Sequence, residues 1–305
     1  MPYTDDKTVT VNKHSVELTH LSKIFWPDEK ITKGDMIAYY EAIAPYILPY
    51  LKNRPLSLKR NPNGIADEGF FHKDAGEHAP EWVDKIDVFS ESTDKTIHYI
   101  MCNNKETLLY VANLGCIEMN PWNSVKATID KPSYVVIDID PSPKNIFEEV
   151  IETAIAVKAV LDKAGAAGYC KTSGATGLHV YIPLGRKYTY EQGKDFAHLV
   201  ASLTAEQLPN TTSLERSLAK RGDKIYIDYL QNRKGQTLAC AYSLRPKPGA
   251  TVSTPLLWEE VKTGLHPSQF DIHNTEKRVK KMGDIFAPVL GKGIDLLKCI
   301  AQLEK

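Results

Sequence analysis

The sequence contains few cysteines, no long apolar run and no excess of charge of either sign. Its five cysteines are odd in number, and none stands in a Cys-x-x-Cys pair. This pattern disfavours a disulfide framework or a cysteine-bound zinc ion and favours a reducing compartment. No apolar stretch reaches the length of a membrane span, and no N-terminal segment is typical of a signal peptide. We therefore expect a cytoplasmic protein with no membrane partner.

Positive and negative side chains balance at 38 each, so the chain has no overall field that would attract a polyanion. A nucleic-acid partner would need local basic patches. The chain is 305 residues long and 42% hydrophobic, which suits a large globular core.

The predicted elements alternate irregularly between helix and strand. A helix is expected to begin after Thr32 and to end before Pro49, and others are expected over 106–113, 145–163 and 189–208. Strands are expected near 56–60, 96–101, 116–119, 134–141, 224–230 and 237–244 and on both sides of a turn at 173–177, with a largely helical last third. This mixture predicts an α+β fold rather than a strictly doubly wound sheet.

The most informative segment is the buried strand at 134–141, which ends in Asp138-Ile139-Asp140-Pro141. Alternation along a strand places Asp138 and Asp140 on the same face, about 7 Å apart. Two like charges at the end of a buried strand are costly unless a cation lies between them, and oxygen ligands favour Mg²⁺ or Mn²⁺. Acids that are solvated or paired with Arg or Lys are the alternative.

A second segment, residues 171–184, contains Ser173-Gly174 and Gly177-Leu178-His179. The glycines indicate a tight turn whose backbone N–H groups and hydroxyls could face an anion, and His179 follows on the next strand. A hairpin with a hydrogen-bonded histidine is the alternative. A third segment places Asp228 among strand formers, where it could complete a two-metal site or form an ordinary salt bridge.

Basic residues cluster in two places. Lys59 and Arg60 precede Phe70 and Phe71, a combination that suits a phosphate backbone and base stacking. Residues 213–247 contain 8 basic residues against 3 acids, and Arg221 is among the basic ones. A solvated charged surface with core phenylalanines is the alternative for each cluster.

Together these segments resemble the polymerase domain of bacterial DNA ligase D, a member of the archaeo-eukaryotic primase superfamily that acts in non-homologous end joining. The segments that carry the resemblance are Leu21–Lys23, Thr32–Gly34, Lys59–Gly64, Phe70–Lys73, Val136–Pro141, Lys171–Tyr181, Asp228–Asn232 and Ser243–Pro246. The resemblance implies a mixed-sheet primase-polymerase fold with catalytic carboxylates on central strands and helices packed outside.

The resemblance also implies a role for each matching residue. Asp138, Asp140 and Asp228 are expected to bind metal and to be catalytic. The implied nucleotide contacts are Lys59, Ser173, His179, Gln231 and Arg245. Lys23 and Lys33, with His20, are expected to bind a DNA 5′-phosphate, and Phe70 and Phe71 to stack against the template.

Two positions depart from the family pattern. His20 stands where the family usually has Asn, and Asn120 stands where it commonly has a histidine near the active site. The role of Asn120 stays open, as do those of Arg60 and Arg221.

The expected function is extension of a 3′-hydroxyl at gaps or broken DNA ends by nucleoside triphosphates, with two Mn²⁺ or Mg²⁺ ions. The alternatives are a metal-dependent phosphodiesterase or nuclease and a non-catalytic module that binds DNA ends. Expected partners are DNA carrying a 5′-phosphate, a Ku-type protein and a separate ATP-dependent ligase, in a nucleoid-associated location. We expect residues 1–305 to form one domain, with a 5′-phosphate-binding part over 1–55, a catalytic core over 56–255 and a helical part over 256–305. The chain has no Lys-x-Asp-Gly ligase motif, so the resemblance is to the polymerase module alone.

Overall fold

The computed structural model describes residues 5–76, 79–91 and 93–305. Within these ranges the strands are β1 (Lys7–Val11), β2 (His14–Leu18), β3 (Ile24–Trp26), β4 (Ile31–Thr32), β5 (Leu56–Arg60), β6 (Phe70–His72), β7 (Lys85–Ser90), β8 (Lys95–Ile100), β9 (Cys116–Pro121), β10 (Tyr134–Asp140), β11 (Tyr169–Thr172), β12 (Leu178–Pro183), β13 (Thr212–Ser213), β14 (Ile225–Asp228) and β15 (Pro255–Leu256). The helices are α1 (Lys33–Leu51), α2 (Lys105–Asn113), α3 (Phe147–Ala164), α4 (Tyr190–Gln207), α5 (Leu218–Arg221), α6 (Thr275–Met282) and α7 (Leu296–Leu303).

The chain forms two compact units. The first comprises the described residues up to 127 together with Thr237–Ser253 and Phe270–Gly283, and the second comprises Thr128–Gln236, Thr254–Gln269 and Asp284–Lys305. This grouping does not test the expected division at residues 55 and 255, which stays a prediction.

The first unit is built around α1 and a sheet that contains β5. Thr32 and Asp35 form a capping box at the start of α1, as in a well-terminated helix. The side chains of Ile37, Tyr40 and Ile47 are buried along one stripe of this helix. Strand β5 pairs antiparallel with β6 and β9, and β7 pairs with β8 along its full length.

The second unit contains a six-stranded sheet in the order β13-β14-β10-β12-β11-β15. All neighbours are antiparallel except β13 and β14. Every residue of β12 is buried, and so are residues 134–137 and 139 of β10. Strands buried on both faces occupy the centre of a covered sheet, as the apolar run of β10 predicts.

Three predicted elements differ from the structure. Helix α1 was expected to end before Pro49, but it continues to Leu51 with Pro45 and Pro49 inside it. Each proline removes one helical hydrogen bond, and the buried Tyr50 and Leu51 offset that loss. The helix therefore ends where its apolar contacts end.

The strand expected over 237–244 is absent, and the described residues there form only isolated bridges at Thr237 and Leu244. Tyr242 has a φ of 68°, which interrupts an extended strand. The last third is also less helical than expected, since α6 and α7 have eight residues each and 3₁₀ turns and loops occupy much of the rest. In the parts of the chain that the structure describes, no helix is long and apolar enough to cross a membrane.

Candidate active site and phosphate-binding cavities

Four polar residues form a row across four strands of the second unit. The strand register pairs Lys171 with His179, His179 with Asp138, and Asp138 with Asp228. Directly opposed residues of antiparallel strands point to the same face of a sheet. Asp140 follows two residues after Asp138, so its side chain shares that face. The predicted carboxylates from two distant segments therefore lie together on neighbouring strands.

The buried end of this row is connected by short contacts. Lys171 Nζ lies 2.9 Å from His179 Nδ1, and His179 Nε2 lies 3.3 Å from Asp138 Oδ1. Lys171 and His179 are almost completely buried. A buried lysine is costly without a polar partner, and the imidazole provides one. Lys171 was not predicted as a site residue, because its role depends on this register.

The carboxylates disfavour one another's charged forms. Partial loss of solvent and the neighbouring Asp138 charge raise the pKa of Asp140 to about 6, although the residue as a whole stays exposed. Burial and the charge of Asp138 raise the pKa of Asp228, against the opposing effect of the Leu230 N–H, which donates to its Oδ1 at 2.7 Å. The cluster therefore has an excess of negative charge.

Three further residues lie beside the carboxylate cluster. Asn232 bonds the backbone of β10 twice, since Val136 N–H donates to its Oδ1 and its Nδ2 donates to Val136 O, each at 2.7 Å. The side chain of Asn232 thus continues the hydrogen bonding beside β10 after β14 ends at Asp228. Gln231, which was predicted to contact the nucleotide, lies in the same 3₁₀ turn as Asn232. Arg221 is buried, and its guanidinium lies 4.8 Å from the Tyr226 ring centre. Its positive charge partly offsets the rise in the pKa of Asp140.

The turn at 173–177 is closed by its own serine. The backbone N–H groups of Ala175 and Gly177 each donate to Ser173 Oγ at 3.0 Å, and Ser173 N–H donates to Gly177 O at 2.9 Å. The sequence predicted a tight turn here, and the structure has one. In this structure the two N–H groups have the serine hydroxyl as their acceptor, and contact of Ser173 with a nucleotide stays a prediction.

The first unit contains a cavity of about 320 Å³ at the predicted 5′-phosphate residues. Its lining includes His20, Lys23, Lys33 and Arg60. Lys33 Nζ donates to Thr19 O at 2.7 Å, and Lys23 Nζ donates to Asn63 Oδ1 at 2.6 Å. Burial and the charge of Lys23 lower the pKa of Lys33 to about 8, against the opposing charges of two nearby aspartates. The structure thus gathers every predicted 5′-phosphate residue into one basic cavity and adds Arg60.

A second cavity of the first unit, of about 390 Å³, contains Lys59 and Arg245 in its lining. Arg245 Nε donates to Glu118 Oε2 at 2.6 Å, and both side chains are mostly buried. Strand register places Glu118 directly opposite Lys59. One carboxylate therefore lies beside two predicted nucleotide contacts. Glu118 was not predicted as a site residue, and its one signal in the sequence was its position two residues before Asn120.

The predicted template pair is exposed and is flanked by cations. Phe70 is 48% exposed and Phe71 is 58% exposed. The Arg60 guanidinium lies 5.4 Å from the Phe70 ring centre, and Lys59 Nζ lies 5.1 Å from that of Phe71. Exposed rings beside cations suit stacking on bases, so the alternative of core phenylalanines is wrong for this pair. Asn120, by contrast, is buried and donates to Glu118 O at 3.3 Å.

The predicted residues therefore fall into separate groups. The second unit holds the carboxylates with Ser173, His179, Gln231 and Arg221, and the first unit holds Lys59, Arg245, the template pair and the 5′-phosphate cavity. The donor set of the carboxylate cluster fits a hard divalent cation, because its ligands are oxygens with excess negative charge. Among the residues the structure describes, no three His, Cys, Asp or Glu side chains are already arranged around a metal position. Metal binding stays a prediction.

Comparison with known proteins supports the resemblance. Residues 32–286 match the family model for the LigD primase-polymerase domain. The chain is 34% identical over 291 residues to the bifunctional non-homologous end joining protein LigD of Bacillus subtilis, covering 93% of this chain and 46% of that protein. It is 30% identical to the multifunctional LigD of Mycolicibacterium smegmatis, covering 90% and 36%. The chain thus spans less than half the length of these relatives.

A solved structure agrees with these matches. The polymerase domain of Mycobacterium tuberculosis Ligase D, in complex with DNA, superposes with a TM-score of 0.84 at 26% identity. The alignment covers 92% of this chain and 99% of that domain. The predicted resemblance and the predicted α+β primase-polymerase fold are confirmed. The chain belongs to the LigD primase-polymerase domain family, whose members are DNA-directed nucleotidyltransferases.

Proposed function

We propose that the chain extends a 3′-hydroxyl at gaps or double-strand-break ends of DNA in non-homologous end joining, with nucleoside triphosphates as substrates. The observation that carries this proposal is the strand register that aligns Asp138 with Asp228 and His179 and leaves Asp140 on the same face. The partner named with the solved relative is DNA, and the basic cavity of the first unit suits a DNA end. By resemblance, ribonucleotides are the preferred substrates.

Asp138, Asp140 and Asp228 are the residues that would hold Mn²⁺ or Mg²⁺. When bound, such ions lower the pKa of an attacking hydroxyl and stabilise charge on a transferring phosphoryl group. The carboxylates repel one another, and a bound cation relieves this repulsion. The cluster therefore favours cation binding. No protein nucleophile is required.

The other residues position the substrates. His179 is held between Lys171 and Asp138, so its ring has little freedom to rotate. A side chain fixed before binding loses little entropy when it contacts a triphosphate. Lys23 and Lys33 would bind the 5′-phosphate on the far side of a gap, and Phe70 and Phe71 would stack on template bases. A Ku-type protein and a separate ligase are proposed as partners, because the full-length relatives are non-homologous end joining proteins.

Primer extension on a gapped duplex with a 5′-phosphate tests the proposal. The wild-type chain should add nucleotides when Mn²⁺ or Mg²⁺ is supplied. Asp138→Ala and Asp140→Ala should each lower the extension rate more than about 100-fold, while DNA affinity measured by fluorescence anisotropy is kept. Asp162→Ala, which changes an exposed acid on α3, is the matched control and should extend normally.

The same assay separates the alternatives. A nuclease would shorten the labelled strand without added triphosphates. A non-catalytic module would bind the gapped DNA and leave the primer unchanged under every metal condition. Full extension by either Asp variant would refute the catalytic assignment.

A further inference from the structure

In the loop between β2 and β3, two backbone N–H groups donate to acidic side chains. His20 has a φ of 56°, in the left-handed region. Its N–H donates to Asp6 Oδ1 at 2.6 Å, and the N–H of Ser22 donates to Asp5 Oδ2. N–H groups that converge around a left-handed residue form an anion-binding nest. In this structure the nest holds two carboxylates of the same chain.

The loop has anchors that do not involve these carboxylates. Lys33 N–H donates to Lys23 O and Gly34 N–H donates to Leu21 O, each at 2.8 Å, so the start of α1 holds the loop. Lys23 N–H also donates to His20 O at 3.0 Å and closes the turn. The shape of the nest therefore does not depend on Asp5 and Asp6, which act as its occupants.

The nest belongs to the basic cavity described above. His20 and Lys23 come from this loop and line the cavity together with Lys33. The charges of Asp6 and Asp5 also act on the Lys33 ammonium. A phosphate monoester has more charge and more acceptor oxygens than a carboxylate, and it would need the same kinds of donor.

We propose that Asp5 and Asp6 occupy, in the DNA-free protein, the backbone donors of His20 and Ser22 that a DNA 5′-phosphate takes when it binds. The acidic pair and the phosphate then compete for one anion site, so the pocket limits its own affinity. This inference rests on the proposed function, because it assumes that the cavity receives a 5′-phosphate.

Binding of a short gapped duplex, with or without a 5′-phosphate at the gap and labelled at its far end, tests the competition. In fluorescence anisotropy, Asp5→Ala with Asp6→Ala should lower the Kd for 5′-phosphorylated DNA about three- to tenfold. Asp5→Asn with Asp6→Asn keeps a weaker acceptor and should give a smaller gain. Neither pair should change the Kd for 5′-hydroxyl DNA.

Glu17→Gln with Asp28→Asn is the matched control. It removes two negative charges from exposed side chains of the same unit and leaves the contacts of the nest intact. This pair should bind both DNAs like the wild type. In amide NMR spectra of the alanine pair, the His20 and Ser22 signals should shift on addition of phosphorylated DNA and stay in place with 5′-hydroxyl DNA.

The outcomes separate this inference from the proposed function. If the alanine pair binds phosphorylated DNA more weakly than the wild type, or equally well, competition is refuted. Weaker binding with normal behaviour of the asparagine pair would identify the acids as supports of the loop. If the wild type itself does not distinguish the two DNAs, the 5′-phosphate assignment fails and this inference fails with it.

Discussion

Lys33 is a cation whose charge depends on pH in the range where enzymes are assayed. Burial and the Lys23 charge lower the pKa of Lys33 to about 8, so in the DNA-free protein the ammonium loses its proton as pH rises from 7 to 9. A phosphate monoester is already a dianion throughout this range. We therefore expect the affinity advantage of 5′-phosphorylated over 5′-hydroxyl DNA to fall several-fold between pH 7 and pH 9, measured as the ratio of the two Kd values.

Lys33→Arg is the control for this pH dependence. A guanidinium stays protonated at pH 9, so the arginine variant should keep a nearly constant ratio. Bound phosphate favours the charged form of Lys33, and this linkage is what makes the ratio of the two Kd values depend on pH. An equal fall in the wild type and the arginine variant would assign the titration to another group.

Asp140 makes the stability of the metal-free protein depend on pH. Its pKa is raised to about 6, so the folded state holds this proton more tightly than the unfolded state. The charged form is penalised above pH 6, and this penalty disappears as pH falls below the ordinary pKa of about 4. Asp140→Asn should therefore raise the free energy of unfolding at pH 7.5 in EDTA by about 1 kcal/mol, allowing for solvent screening.

Urea denaturation at pH 7.5 and pH 4 measures this effect. The gain should shrink at pH 4, because Asp140 is then largely protonated in the folded wild type. Asp195→Asn, at an exposed acid on α4, should change stability little at either pH. A loss of stability in Asp140→Asn at pH 7.5 would show that the carboxylate is favourably paired.

At the scale of elements, the sequence predicted those features of helices and strands that depend on residues close together in the chain. The helices expected after Thr32 and over 189–208 are present, and each begins with a capping box. The helix expected over 145–163 is also present, and it is followed by Gly165 in the left-handed conformation. The Asp-x-Asp strand was predictable because alternation along one strand fixes which side chains share a face. These features need only a few consecutive residues.

Features that depend on strand register could not be predicted from local patterns. Lys171 and Glu118 acquire roles only because β11 meets β12 and β9 meets β5 in one particular register. The prediction of a strand at 237–244 was wrong for a related reason. Its N–H groups bond across the chain, Cys240 to Met119 O and Tyr242 to Ser253 O, and they do not form a ladder.

Gly177, the residue before β12, lies against the end of β10. A Cβ added to Gly177 would lie 2.1 Å from Ile139 O and 3.3 Å from Pro141 Cδ. Gly177→Ala must therefore separate the two strands where His179 meets Asp138. We expect a loss of about 2 kcal/mol in the free energy of unfolding and at least about tenfold slower extension.

Gly264→Ala is the matched control for the Gly177 variant. A Cβ there meets nothing within 4 Å, and only its φ of 90° is unfavourable. It should cost about 1 kcal/mol and extend primers at the normal rate. Equal activity of the Gly177 variant and the wild type would show that the strand separation does not affect catalysis.

At the scale of the whole molecule, charge is balanced, so DNA affinity must come from local cations. The 38 basic and 38 acidic residues leave no net field. Each cation that neutralises a unit of DNA charge releases counterions and adds about 0.9 to the slope of log affinity against log salt. The two lysines of the 5′-phosphate cavity should therefore contribute a separable part of this slope.

Lys23→Ala with Lys33→Ala should reduce the slope by about 2 on 5′-phosphorylated gapped DNA and by less than about 1 on 5′-hydroxyl DNA. Anisotropy titrations across a range of KCl concentrations give both slopes. Lys163→Ala with Lys298→Ala removes the same charge from two exposed positions of the second unit and should leave the difference between the two DNAs unchanged. An equal reduction on both DNAs would mean that Lys23 and Lys33 belong to a general DNA-binding surface. Because the chain has no net charge to contribute, a difference confined to phosphorylated DNA can only come from a localised site such as this cavity.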